Sequence, residues 1–148
     1  MWMAGVVGFL MGLLVLFADL AAPVAVRFDR DRALAENFTA YRNAVITYIE
    51  LHPDTHGSVA QNRLPLPLGW QPLSTLHNET HEGQVVVWGP LPPPAQVAVE
   101  EEAAGSESVG VAEIQSGLEV GYSELDGTCF AIPSGVPTGA MVSVVTVD

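Results

Sequence analysis

Lysine is absent from the 148-residue chain, and its five basic side chains are all arginines, the last of them at Arg63. Residues 64–148 contain 11 acidic side chains and no base, so most of the formal net charge of −12 lies there. Nucleic-acid affinity depends largely on Lys and Arg side chains that neutralise phosphates. The composition therefore disfavours DNA, RNA and anionic lipid as partners of the C-terminal part.

Cysteine occurs once, at Cys129, which rules out a disulfide within the chain. Because it lies in an apolar run and unpaired cysteines usually behave as small buried hydrophobic residues, we predict that it is buried. An intermolecular link is the alternative. A catalytic thiolate needs a neighbouring positive charge, which residues 64–148 do not supply. Nucleophile elbows, phosphate-binding glycine loops and dinucleotide motifs are also missing, so we predict no catalytic residue and no cofactor.

Histidines occur as two pairs spaced by four residues, His52 with His56 and His77 with His81. On a helix this spacing would place both imidazoles on one face, where they could share a metal ion. Pro53 interrupts the first pair, a glycine soon follows the second, and no cysteine cluster completes a ligand set. We therefore predict loop histidines without a metal. A metal-binding periplasmic module or metal-dependent hydrolase that uses these four histidines is the alternative.

Three adjacent glutamates at positions 100–102 form the densest acidic run of the chain. Adjacent side chains on a helix do not converge on one point, so a carboxylate pair for acid–base chemistry is weakly supported. Charge runs are usually solvated, and we predict an exposed acidic helix face.

A strongly apolar run without a charged side chain lies at the N-terminus, from Met1 to Ala18. As a helix it would be about 27 Å long, close to the roughly 30 Å hydrocarbon core of a bilayer. We predict a retained transmembrane anchor within residues 1–22. A cleaved signal peptide is the alternative, but the run has no basic residue at its start and Leu20 fits poorly at the −3 position of the nearest cleavage site.

Small residues recur every four positions in this segment, at Ala4, Gly8 and Gly12. Such a stripe lets a second helix approach closely, so these three residues are our candidates for helix packing, including self-association through the anchor. The alternative is that glycine is simply common in membrane helices.

An amphipathic helix is predicted within residues 23–52, with Asp29 or Asp31 as its cap and Pro53 as its stop. Its apolar residues recur at steps of three and four, and they are Leu34, Phe38, Tyr41, Val45, Tyr48 and Ile49. Stripes of this kind usually pack against the protein's own core. We therefore predict that the helix covers a sheet formed by the rest of the chain.

Residues 53–148 are predicted to form a small α+β domain. The first part, 53–83, is a long connection with little regular structure. The elements that follow are a strand at 84–88, a helix at 95–104, a hairpin of 108–114 with 118–122, and strands at 129–132 and 141–147. Ser116-Gly117 suits a two-residue hairpin turn. The order of elements indicates a mainly antiparallel sheet.

The chain resembles the PilM proteins that are encoded with thin type IV pilus genes on conjugative plasmids. The resemblance rests on the N-terminal apolar segment and on four further stretches, which are Asn37–Ile49, Val85–Trp88, Ser106–Gly110 and Ile132–Val142. It implies a non-enzymatic accessory protein of pilus biogenesis without catalytic residues, whose partners are pilins or inner-membrane pilus assembly proteins. It also implies a single-pass protein of the bacterial inner membrane with a periplasmic C-terminal domain.

The layout is also similar to that of type IV pilins and pseudopilins, in which an apolar helix continues into an amphipathic helix packed on a small sheet. The chain departs from the pilin processing motif, because Gly8-Phe9 is followed by Leu13 where a glutamate should stand. Processing by a prepilin peptidase is therefore not expected.

Membrane orientation is the point on which charge and resemblance disagree. Three arginines within residues 27–32 follow the apolar segment, and bases placed there favour a cytoplasmic C-terminal side. The acidic residues that alternate with them do little to offset the rule, but three arginines on so short a stretch are a weak signal of topology. We follow the resemblance and predict a periplasmic domain.

Overall fold

The computed structural model describes residues 2–81, 83–103 and 108–147, with the backbone alone for residues 2–26. Two helices, a short 3₁₀ turn and six strands make up this part of the chain. In order they are α1 (Trp2–Leu51), the turn Gln61–Arg63, β1 (His77–His81), β2 (Gln84–Gly89), α2 (Pro93–Glu102), β3 (Val109–Gln115), β4 (Leu118–Tyr122), β5 (Cys129–Ala131) and β6 (Met141–Thr146). The predicted α+β class is confirmed.

The six strands form one sheet in the order β1-β2-β6-β3-β4-β5. Every neighbouring pair is antiparallel, as the sequence predicts. The last strand, β6, inserts between β2 and β3, with Val86 opposite Val144 and Gly110 opposite Val142. The C-terminal strand thus joins the β1–β2 pair to the β3–β4–β5 group.

The apolar stripe of α1 packs on one face of this sheet, together with α2. All six predicted stripe residues are buried, and Phe38 and Val45 are completely so. They share a core with Val85, Val87 and Met141 of the central strands. The predicted packing of the amphipathic helix is confirmed, and so is its stop, because α1 ends at Leu51 just before His52-Pro53.

The predicted cap of the amphipathic helix is wrong. Asp29 and Asp31 lie inside α1, which runs from Trp2 to Leu51 as one element, so neither is a cap. The stretch from Arg27 to Ala35 contains no glycine or proline to interrupt it. It is rich in arginine and alanine, both of which are good helix formers.

Strand β2 is buried on both faces, which explains its continuous run of valines. Val85 and Val87 face the helices, whereas Val86 belongs to a second, smaller core on the outer face. There it packs with Ala112, Val136, Ala140, Val142 and Val144. The segment between β5 and β6, which contains two of these residues, covers this side of the sheet.

Strand β1 lies within a segment that the sequence predicts to be irregular, so this part of the prediction is wrong. Its sequence, HNETH, is polar and has low strand propensity. The strand forms because it pairs along its whole length with β2. Two backbone hydrogen bonds between Gly57 and Thr80 hold its other edge.

The predicted turn of the β3–β4 hairpin is confirmed at Ser116-Gly117. The φ angle is 53° at Ser116 and 83° at Gly117. A type I′ turn requires positive φ at both of these positions. Gly110 is needed for a different reason, because a Cβ there would collide with the backbone carbonyl of Tyr122 on the paired strand. A side chain at this position would therefore separate β3 from β4.

Cys129 is exposed, and the prediction of burial is wrong. It lies on β5, a three-residue strand at the edge of the sheet that pairs only with β4. An apolar sequence is therefore not enough to bury an edge residue that neither helix covers. The Sγ atom lies 3.5 Å from Oε1 of Gln115.

The predicted transmembrane anchor and its stripe of Ala4, Gly8 and Gly12 lie outside the residues whose side chains are described. Among the residues that are described, no helix is both long enough and apolar enough to cross a membrane.

A buried asparagine joins α1, β1 and the loop that follows α1. The side chain of Asn78 accepts a hydrogen bond from Val59 N at 2.7 Å and donates to Val59 O at 2.9 Å. It also donates to the hydroxyl of Tyr41 at 2.6 Å. Burial raises the pKa of Tyr41, and the hydrogen bond from Asn78 opposes part of that rise. Three elements therefore depend on one amide group.

We expect Asn78→Ala to lower the free energy of unfolding by about 3 kcal/mol, because it leaves buried backbone groups of Val59 without partners. Urea unfolding of the full chain in mild detergent, followed by tryptophan fluorescence, measures this change. Asn43→Ala is the matched control, since Asn43 is an exposed asparagine on α1. A surface substitution of this kind should change stability by no more than about 0.5 kcal/mol. Equal stability of the two variants would contradict the stabilising role of the Asn78 hydrogen bonds.

Candidate interaction site

Two grooves flank α1 where it leaves the domain, at residues 27–34. The first, which we call the arginine groove, has a volume of about 450 Å³ and is lined by Arg27, Arg30, Leu34, Leu73, Pro90 and Pro92. The second, the acidic groove, has a volume of about 550 Å³ and is lined by Phe28, Arg32, Pro94, Val97, Glu101 and Glu102. Asp31 lies between them and contributes to both.

Large apolar side chains are exposed around the same end of the domain. Phe28 is 74% exposed, Leu73 is 56% exposed and Val97 is 45% exposed. They come from α1, from the loop before β1 and from α2. Exposed apolar groups that gather beside polar ones are typical of contact surfaces. The end of the domain from which α1 emerges is therefore the candidate interaction site.

Side-chain contacts from α1 fix the Leu73 wall of the arginine groove. The amide of Asn37 donates to Gln71 O at 2.8 Å, and its oxygen accepts from Leu73 N at 3.1 Å. One turn further along, Tyr41 stacks on Trp70 with ring centroids 5.9 Å apart. The opposite wall is stiff because it contains Pro90 and Pro92, whose φ angles are fixed by their rings.

Charge distinguishes the two grooves. In the acidic groove Glu101 and Glu102 belong to α2, and Glu102 accepts a hydrogen bond from Thr39 of α1 at 3.0 Å. Arg32 is already paired with Glu36 at 3.0 Å, an exposed contact that contributes little stability. In the arginine groove Arg27 and Arg30 face walls whose residues are uncharged apart from Asp31. One groove therefore favours cations and the other favours anions.

The two histidine pairs are not arranged as the metal-binding alternative requires. His77 and His81 lie at the two ends of one strand. Four residues of strand extend about 13 Å, which is too far for two ligands of one ion. His52 stacks on Tyr48 just after the end of α1, with centroids 4.3 Å apart. The Gly57–Thr80 bridge instead places His56 beside His81 in register. Within the described residues, no group of three His, Cys, Asp or Glu side chains could hold a metal ion.

The sequence profile of the PilM family matches residues 6–144 of the chain. The chain belongs to the PilM family. A crystal structure of PilM from Escherichia coli B7A is similar in fold, with a TM-score of 0.58, 20% sequence identity, and coverage of 80% of this chain and 94% of that one. No curated protein matches the chain.

Membership of the PilM family confirms the resemblance noted from the sequence. The four stretches that carried it map onto the buried half of α1, onto β2, onto the approach to β3 and onto the segment that leads into β6. They include most of β2, the first two residues of β3 and of β6, and the part of α1 that covers these strands. The family pattern is thus largely the pattern of the core.

Arg42 was missed in the sequence, although it links α1 to the centre of the sheet. Its Nε donates to the hydroxyl of Ser143 on β6 at 2.6 Å, and Ser143 is fully buried. Burial lowers the pKa of the guanidinium from its ordinary value. The signal in the sequence was a single arginine beside the apolar stripe, next to Tyr41.

Glu100 is not part of an exposed acidic face, so the prediction for this residue is wrong. Its side chain is 6% exposed and accepts hydrogen bonds from Leu125 N at 3.2 Å and from Ser123 Oγ at 3.4 Å. Glu101 and Glu102 are exposed, as predicted. Burial raises the pKa of the Glu100 carboxyl, and these hydrogen bonds oppose part of that rise.

We expect Glu100→Gln to remove a pH dependence of stability. The pKa of Glu100 is raised in the folded state above its ordinary value of 4.5. Its contribution to stability is therefore present at low pH and is lost as the pH rises from the ordinary pKa through the raised one. The variant should gain stability relative to the parent as the pH increases over that window. Glutamine can still accept the hydrogen bond from Leu125 N.

Urea midpoints measured at a series of pH values, from acidic to mildly alkaline, test this expectation. Glu101→Gln is the matched control, because it removes an exposed carboxyl one residue away and should follow the parent at every pH. If the pH profile of the Glu100→Gln variant also follows the parent, burial does not perturb Glu100 and the account of this contact is wrong.

Proposed function

We propose that the chain is a non-enzymatic accessory protein of type IV pilus biogenesis, held in the inner membrane by its N-terminal segment. Its membership of the PilM family carries this proposal, since the family match extends over nearly the whole chain. The setting that the resemblance implies is the assembly of thin pili whose genes lie on conjugative plasmids. The expected partners are pilins or inner-membrane pilus assembly proteins, in an assembly or minor-pilin-like role.

The form of α1 supports an anchored role. The helix begins at Trp2 and ends at Leu51, and its last part is built into the core of the domain. Its first seventeen residues, Trp2–Ala18, are uncharged. A helix that is apolar at one end and buried in a domain at the other is a means of fixing that domain at a membrane surface.

The domain itself supports a role in contact rather than in chemistry. Three polar side chains of the domain form hydrogen bonds to neighbouring elements of the fold, and they are Asn78, Arg42 and Glu100. Three of the eight large apolar side chains that are exposed in the described part of the chain, Phe28, Leu73 and Val97, instead line the grooves near the start of the described side chains of α1. The contact surface thus lies at the end of the domain nearest the proposed anchor. We place that domain in the periplasm, where pilus subunits are assembled in the scheme that the resemblance implies.

Complementation of a deletion strain tests the proposal. Deletion of the gene should abolish thin pili and mating in liquid, and expression of the full chain should restore both. The variant Leu13→Arg/Leu14→Arg should restore neither, because each arginine at the centre of a spanning helix costs about 3 kcal/mol and the chain should no longer be retained in the membrane fraction. Electron microscopy and mating frequency measure function, and carbonate extraction measures retention.

The double alanine variant Leu13→Ala/Leu14→Ala is the matched control, and it should remain in the membrane and restore piliation. Normal piliation of the deletion strain would overturn the role in biogenesis. Membrane retention of the double arginine variant would overturn the anchor, whatever its effect on pili.

A further inference from the structure

We propose that the arginine groove binds the phosphate of an anionic phospholipid at the surface of the bilayer. This inference rests on the membrane anchor of the proposed function, and it adds a lipid class and a binding site to it. Three observations support it, which are the position of the groove along α1, its charge, and the chemistry of its walls.

The groove lies where a headgroup would be. Residues 1–26 contain one charged side chain, Asp19, and Arg27 is the first base of the chain. Along α1, Arg27 lies eight residues after Asp19, or about 12 Å. Helical side chains lean toward the N-terminus, and long arginine side chains extend their charge toward an interface. The guanidinium of Arg27 is thus directed toward the headgroup layer, which begins where the hydrocarbon ends.

Two arginines in the groove are available for an anion. Arg27 and Arg30 line the groove together and are three residues apart on α1. This spacing brings the Cβ atoms of two helical residues within about 6 Å of each other. Among the described residues neither has an acidic partner, whereas Arg32 is paired with Glu36. Guanidinium groups bind phosphate oxygens through two parallel hydrogen bonds each. Together they can bracket one phosphate.

The walls of the groove suit the rest of a lipid. Leu73, Pro90 and Pro92 are apolar, and they come from a part of the chain without a single base. They can contact the glycerol and the first methylenes while the arginines hold the phosphate. On the other side of α1, Glu101 and Glu102 repel the same headgroup. The charge pattern therefore directs an anionic lipid to one side of the helix.

The test is lipid enrichment by the full chain. The protein is reconstituted in bilayers of equal parts phosphatidylglycerol and phosphatidylcholine, purified in mild detergent, and its retained lipids are quantified by mass spectrometry. Phosphatidylglycerol should be enriched over phosphatidylcholine in the lipids that the parent chain retains. In the Arg27→Gln/Arg30→Gln variant each substitution should lower that enrichment by about fivefold, and the lowest value that can be reached is the lipid ratio of the bulk bilayer. Arg27→Lys/Arg30→Lys should keep part of it, because lysine retains the charge but not the paired hydrogen bonds.

Arg63→Gln is the matched control, because it removes the same charge from a residue that lies over the ring of Tyr48. Tyr48 is eighteen residues, or about 27 Å, along α1 from Arg30. This variant should keep the full enrichment. Unchanged enrichment in the Arg27→Gln/Arg30→Gln variant, or a bulk lipid ratio in the parent, would overturn the proposal.

Free inorganic phosphate offers the same oxygen atoms to the two arginines as a lipid phosphate does. A competition experiment distinguishes these two ligands. Loss of enrichment when inorganic phosphate is added at constant ionic strength would assign the groove to free phosphate instead. If the chain stays in the membrane but its retained lipids are not enriched in phosphatidylglycerol, the lipid site is contradicted and the role in pilus biogenesis is not.

Discussion

The fold depends on the contact between the apolar face of α1 and the central strands of the sheet. Phe38 and Val45 are completely buried there, against Val85, Val87 and Met141. Fully burying side chains of this kind contributes about 1.5–3 kcal/mol each. A sheet with one uncovered apolar face is not stable in water, so the helix that also carries the apolar N-terminal run is the helix that completes the core. The folded domain and the helix that carries the apolar N-terminal run thus form one unit.

Polar contacts then fix how the surrounding elements sit on this core. Asn78 ties β1 and the loop after α1 to Tyr41, and Arg42 ties α1 to Ser143 at the centre of the sheet. Glu100 ties α2 to the loop after β4. Asn78 and Glu100 are buried and Arg42 is half-buried, and an unsatisfied hydrogen bond is costly where water is excluded. The loop that carries Leu73 is held beside α1 by the hydrogen bonds of Asn37 to Gln71 and Leu73.

Much of this fold follows from patterns in the sequence. The steps of three and four residues in α1, the valines of β2 and the Ser116-Gly117 turn each reflect a local rule of helix or strand geometry, and the structure confirms them. Strand β1 was missed because its polar sequence becomes a strand only through pairing with β2. Cys129 and Glu100 were misjudged because burial depends on which element covers a residue, and local sequence does not specify that. The two grooves likewise combine distant segments, so only the arginines within residues 27–32 stood out in the sequence.

The central claim is that α1 is one continuous helix that joins the folded domain to the membrane. Residues 27–33 of α1 lie largely outside the core. Amide hydrogen exchange of the full chain in lipid nanodiscs tests the claim most directly, because these residues have only the helix itself to protect them. The account predicts slow exchange through residues 27–33, continuous with that of residues 34–51. Fast exchange at residues 27–33 beside a protected core would show a hinge at this point and would contradict it.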